Sequence, residues 1–349
     1  MRGVAFVYHL LLEMSFPLVI AFFVSLFLSL NVYVYPLEHA IMTDSLASSF
    51  LIVISYLLVR LVRHPTRITY VLFGILSTTG WLLRPNLLLV PLITLPLLLL
   101  VKTNRKYMHM NLCTFSASLL LPIVFVFLNA TYHGYTGISQ INEINLLGRI
   151  LEFNLPVDAG KRYTTYYNAV LENRITGGPT MPYRFLDTYA PLTYTNTKRM
   201  NELQQFDRAV IANNFSTYII RALSFIPNIF SDGPPLLGID TNKTTGLAGI
   251  YAFLWHLYRS MWHLGYLLFL LFPIAILSYV RKPSLHSMIA ILLGIISLTQ
   301  LLVIVLFDYY DPGQYARLSS VIQPQVYLFI FITIYEVVCA ARSTIRIDK

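Results

Sequence analysis

The chain has 349 residues, of which 56% are hydrophobic and only 12% charged, with a mean hydropathy of +0.63. That balance excludes a disordered chain and an ordinary soluble enzyme, and leaves a polytopic membrane protein. The net charge of +9 needs no nucleic acid, because cytoplasmic loops of membrane proteins collect Lys and Arg.

In chain order, the first apolar run is short, Val4–Leu12. Glu13 interrupts it and no small-residue cleavage site follows, so it does not read as a signal peptide. It reads as the stub of a span whose beginning is missing. Eight longer runs follow: Phe16–Val34, Leu46–Leu61, Ile68–Leu83, Leu87–Val101, Leu112–Leu128, Leu264–Val280, Met288–Leu306 and Val321–Val338. Each approaches the length needed to cross about 30 Å of hydrocarbon. The expected fold is therefore all-α, with about eight transmembrane helices and an N-terminal stub.

Loop charge gives the orientation. Arg60, Arg63, Arg67, Lys102, Arg105, Lys106, Arg281, Lys282, Arg342, Arg346 and Lys349 lie on one side, and Arg84 and Arg317 on the other. Eleven against two places the first set, and the C-terminus, in the cytoplasm. Alternation of the eight runs agrees.

Residues 129–263 hold no convincing span, and their composition shifts toward Tyr, Asn and Thr. They are expected to form an extracytoplasmic domain between an N-terminal bundle (1–128) and C-terminal helices (264–349). Amphipathic spacing predicts helices over Glu202–Ile211 and Thr217–Ile226, the latter closed by Pro227. Tyr251, Trp255, Tyr258 and Trp262 share one helical face. That face suits a helix on the membrane surface, or an aromatic lead-in to the run at Leu264. Two cysteines, Cys113 and Cys339, offer no disulfide framework.

Three outer turns concentrate the polar chemistry. The turn from Tyr35 to Ser45 carries Glu38, His39 and Asp44, and charge near membrane depth is costly enough to suggest function. Asp44 also suits the N-terminus of the following helix. Leu83-Arg84-Pro85 breaks a long apolar stretch into a tight outer turn. The Arg84 guanidinium suits a phosphate, with snorkelling to headgroups as the alternative. The last outer turn, Phe307 to Arg317, carries Tyr315 and Arg317, which suit either a lipid-linked phosphate or sugar or an aromatic belt. P-loop, GxGxxG, HExxH and GxSxG motifs are absent.

The order "YPLEHAIMTDSLASSFLIVISYLLVR", "GWLLRPNLLLVPLITLPLLLL", a large outer loop and "GQYARLSSVIQPQVYLFIF" resembles the C-type (GT-C) membrane glycosyltransferases. The nearest group is the mannosyl- and arabinosyltransferases that use polyprenyl-phosphate sugars. Thr43-Asp44, Leu83-Arg84-Pro85 and Tyr315-Ala316-Arg317 carry the likeness, over residues 1–130 and 265–340. It implies a bacterial inner-membrane enzyme. A sugar would move from a polyprenyl-phosphate donor to a glycan, lipid or protein acceptor outside the cytoplasm, with a divalent metal ion as a helper in some members. Asp44 and Glu38 would serve catalysis, and Arg84, Arg317, Tyr315 and His39 would bind substrate. The chain departs from the family in one respect: no position matches the presumed catalytic aspartate of the first outer loop, which a missing N-terminus would explain. The rival class is a non-enzymatic transporter, lipid-carrier flippase or assembly subunit. It would favour ionisable residues near mid-span.

Overall fold

The computed structural model describes residues 2–30, 43–231, 246–310 and 312–347. The described residues are helical throughout their regular structure, with no strand among them. Five helices are long and apolar enough to cross a membrane: Ser45–Arg63, Asn104–His133, Ala252–Arg281, Leu285–Phe307 and Gln323–Ala341. Three shorter apolar helices accompany them, Leu18–Ser29, Arg67–Leu83 and Pro85–Leu98. The chain is a multi-pass membrane protein by these features.

Each of the eight longer apolar runs read from the sequence overlaps one of these eight helices, and the short first run lies on Arg2–Glu13, but hydropathy does not fix helix ends. Phe16–Val34 contains a helix of only 12 residues, Leu18–Ser29, which starts after Pro17. Proline presets the dihedral of a first helical turn and lacks the amide that an interior turn would need. Ser15, at φ 64°, makes the turn that precedes it.

The chain divides into two compact units. The first comprises residues 1–119, 230–300 and 316–349. Within it Arg2–Glu13 packs on both Leu18–Ser29 and Thr43–Arg63, and Thr43–Arg63 packs on Arg67–Leu83. The last two form a hairpin. Its short turn is set by Thr66, whose side chain accepts the Thr69 amide at 3.2 Å, an N-cap that supplies one of the four unpaired first-turn donors. Arg60 and Arg63 both reach Glu13, at 3.8 and 3.9 Å, near that turn.

Gly246–Trp262 belongs to the same unit, and three residues of its aromatic stripe form a packing face. Trp255, Tyr258 and Trp262 are buried. Tyr258 stacks on Phe27 at 5.0 Å and donates its hydroxyl to the Phe27 carbonyl. Trp262 lies 5.1 Å from Phe230 and 6.0 Å from Tyr327. The exposed side of the helix carries Ile250 and Phe253 instead.

The second unit comprises residues 120–229 and 301–315. Its core is built from Leu147, Ile150, Tyr166, Val170, Phe185, Leu203, Phe206 and Val210, contributed by four helices: Gln140–Glu152, Thr164–Thr176, Pro182–Tyr189 and Thr197–Asn213. Asn196 caps the last of these by accepting the amides of Lys198 and Arg199. Phe215–Leu223 ends before Pro227, and Pro227 then sits in the first turn of a further short helix, Ile226–Ser231. A proline costs little there, because first-turn amides have no intrahelical partner.

Candidate functional site

Glu38 and His39 lie outside the described residues. Asp44 is in the first turn of Thr43–Arg63. Arg84 follows the last residue of Arg67–Leu83, with φ −149° and ψ 122°. This extended geometry is what a following proline enforces. Its amide still closes the helix on the Gly80 carbonyl at 3.0 Å, and its carbonyl accepts the Leu87 amide at 3.0 Å. The Arg-Pro pair thus joins two helical segments without a loop.

Asp44 and Arg84 occupy the same end of one hairpin. A Cβ added at Gly80 would fall 2.5 Å from the Phe50 ring, so these two residues meet across the helix pair. Asp44 lies six residues before Phe50, about 9 Å along the axis, and Arg84 lies four residues beyond Gly80, about 6 Å further toward the same end.

The turn is also fixed to a distant segment. The Asn86 side-chain amide donates to Gln300 Oε1 at 2.6 Å, and Gln300 Nε2 donates to the Asn86 carbonyl at 3.1 Å. Gln300 is buried, and the pair satisfies both of its ends. It stands two turns from the end of Leu285–Phe307. Arg317 lies further along the chain, half-buried in the short helix Pro312–Ser320, before Gln323–Ile347 begins.

Tyr315 belongs to the second unit and is fully buried there. It faces Arg149, a residue the sequence reading passed over. Arg149 is also fully buried; it donates to Glu152 Oε2 and to the Val305 carbonyl, both at 2.7 Å, and to the Tyr315 hydroxyl. Its guanidinium lies 5.0–5.5 Å from the rings of Phe153, Phe225 and Tyr315. Burial pushes its pKa down, and the Glu152 carboxylate opposes that. The Tyr315 hydroxyl also reaches the Asp308 carbonyl at 3.3 Å, and Asn145 donates to Asp308 Oδ1 at 2.8 Å. Gly148 permits this approach, since a Cβ there would come 2.7 Å from Tyr309. Val305, Asp308 and Tyr315 are therefore held to the Gln140–Glu152 helix by charge-assisted bonds and an aromatic face.

A second buried polar group lies in the same unit. Asp207 is fully buried, and neither of its oxygens has a hydrogen-bond partner. Burial, and then the nearby Glu143, raise its pKa well above the usual carboxylate range. Glu143 Oε1 accepts from Gln204 Nε2 at 2.8 Å and from the Tyr135 hydroxyl at 3.3 Å. Asp207 holds its proton in the folded chain, a consequence of placing two carboxyls in a dry interior. It is sealed from solvent, so its effect falls on stability.

Among the described residues no three His, Cys, Asp or Glu side chains gather as a metal site. Comparison with family models, curated proteins and solved structures found no match to the chain.

Proposed function

We propose that the chain is a glycosyltransferase of the polyprenyl-phosphate-sugar type, crossing a bacterial inner membrane eight times with its C-terminus in the cytoplasm. In this reading the three shorter apolar helices span together with the five long ones. The segment after residue 128 is extracytoplasmic.

The observation that carries the reading is the Arg84 turn. An arginine interrupts an apolar stretch at the same hairpin end as Asp44, and the turn is pinned by the Asn86–Gln300 amide pair. A guanidinium held at that depth is suited to an anionic phosphate. In the proposed reaction Asp44, with Glu38 as second candidate, takes the proton from an acceptor hydroxyl. The hydroxyl oxygen forms a bond to the anomeric carbon as the bond from that carbon to the lipid phosphate breaks. The phosphate leaves with the bonding electrons, and Arg84 and Arg317 neutralise the charge that develops on it. His39 is the remaining candidate for donor contact; Tyr315, buried in the second unit against Arg149, leaves that set. A divalent metal, if bound, would supply Lewis-acid neutralisation at the same phosphate.

The test is binding of a polyprenyl phosphate to the purified chain, together with transfer from its sugar-loaded form. A charge-assisted contact is worth about 1.5–3 kcal/mol. Arg84→Ala or Arg317→Ala should then weaken binding about 10- to 100-fold, and Lys should restore part of it, since it lacks the bidentate fork. Unchanged binding in both variants would sink the assignment.

A further inference from the structure

Phe215–Leu223 is apolar over more of its circumference than the protein covers. It follows Thr197–Asn213 after a bend of 88° between that helix and Phe215–Ser231. One side is buried, through Tyr218 and Ala222. Tyr218 donates its hydroxyl to the Leu306 carbonyl, and its ring meets Phe153 at 5.7 Å. At about 100° per residue, Phe215, Ile219, Leu223 and Ile220 fall in a separate arc of roughly 140°, interrupted by the exposed Ser216 between Leu223 and Ile220. Phe215 is 62% exposed, Ile220 69% and Leu223 38%, with Ile219 half-buried between them. The helix has one charged residue, Arg221, and its guanidinium is tied to the Phe153 carbonyl. A charge-free arc of this kind, apolar but for one serine, marks a surface that something covers.

The same unit shows what covers it. Leu120 to His133, the end of the span-length helix Asn104–His133, belongs to this unit, and there Ile123, Phe127 and Tyr132 are exposed. The unit thus carries the end of a span-length apolar helix in its own body, with exposed apolar side chains of the kind that face lipid. The chain leaving Phe215–Leu223 passes through Ile226–Ser231 and, from Phe230, joins the unit that holds the other span-length helices. We infer that Phe215–Leu223 is a membrane-surface helix that seats Phe215, Ile220 and Leu223 at the headgroup–acyl boundary. A short helix with one apolar arc and one protein-bound arc is suited to that position. The inference is independent of the transferase reading.

Spin labels on single cysteines test it. The background is the full chain with Cys113→Ser and Cys339→Ser, since both thiols are free and exposed. The protein is placed in nanodiscs of phosphatidylethanolamine and phosphatidylglycerol. Labels go on Ile220→Cys and Leu223→Cys, with Thr217→Cys as the exposed position off the arc. Collision with oxygen should exceed collision with a water-soluble nickel chelate at 220 and 223, and the order should reverse at 217. Nickel-chelate collision as high at 220 and 223 as at 217 would put the helix in water and overturn the inference. Exclusion of both reagents at 220 and 223 would show protein covering the face, and would overturn it equally.

Discussion

Replacing Asp207 with Asn should stabilise the chain, and by more at higher pH. Asp207 is fully buried without a hydrogen-bond partner, on a helix facing Glu143. Gln204 and Tyr135 both donate to Glu143 Oε1, and the Tyr135, Tyr166 and Tyr218 hydroxyls and Arg208 are the other titratable groups of these surroundings. The folded state therefore binds a proton at Asp207 that the unfolded chain releases above its ordinary value of 3.8. Stability from this group is fully present below that value. It falls as pH rises, until the folded group itself ionises. Within that window each pH unit removes about 1.4 kcal/mol. For a unit of this size that corresponds to roughly 3–6 °C in melting temperature. Asn keeps the shape, cannot ionise, and can offer an N–H toward Glu143 Oε2, which has no partner of its own. Thermal melts of the full chain in detergent at several values between pH 5 and pH 7.5 should show a falling melting temperature in the parent. Asp207→Asn should show a flatter profile and the higher value at the upper end. Parallel profiles, or a variant that melts lower at every pH, would refute the reasoning.

Two other outcomes are expected. Gly80→Ala should destabilise by about 1–3 kcal/mol, because its Cβ would meet the Phe50 ring at 2.5 Å; Phe50→Leu in the same chain should recover much of that loss in a denaturation midpoint. For orientation, a cysteine at Leu192, which is 55% exposed, should react with an impermeant thiol reagent on intact cells in the background lacking Cys113 and Cys339. Reaction only after the cells are broken would reverse the assignment of sides.

The apolar runs were legible because hydropathy sums over many residues, and each run does contain a helix. Their ends were not, because ends depend on single residues such as Pro17 and Thr66. The Arg84-Pro85 turn was legible for the opposite reason: it depends on one local steric rule. Arg149 was missed since a charged residue in a loop segment suggests solvent. Its partners Val305 and Tyr315 are 156 and 166 residues away, and no local pattern announces them. The one available signal was its setting, an arginine among Leu146, Leu147, Ile150 and Leu151 with Glu152 three residues on. For Tyr251–Trp262, periodicity identified the aromatic face but not what would cover it. Protein and lipid both favour the same residues there.

The placement of polar groups inside the apolar helices bears on the choice between a transferase and a transporter. A translocation path through the bilayer needs ionisable or unpaired polar groups near mid-span. Many of the buried hydroxyls here serve their own helices instead. Ser25, Ser55, Thr94, Ser118 and Thr333 each donate to the carbonyl four residues back, at 2.7–2.8 Å. Asn111 donates to the Leu95 carbonyl at 2.9 Å and Tyr70 to Asn104 at 2.7 Å, pairings that fix one helix on another. Within the five long helices the charged residues stand near the ends, apart from Arg259 and Glu336. Arg259 lies over the Trp255 ring at 5.2 Å. Glu336 accepts from Ser284 Oγ at 2.6 Å and stands 3.5 Å from His286 Nδ1, at the turn that follows Arg281 and Lys282. Both acids and bases are thus drawn toward helix ends, where water and headgroups meet them. That placement suits the proposed chemistry at a membrane face, while the unpaired hydroxyls of Ser77 and Ser297, buried near mid-helix, are the features a translocation path would use.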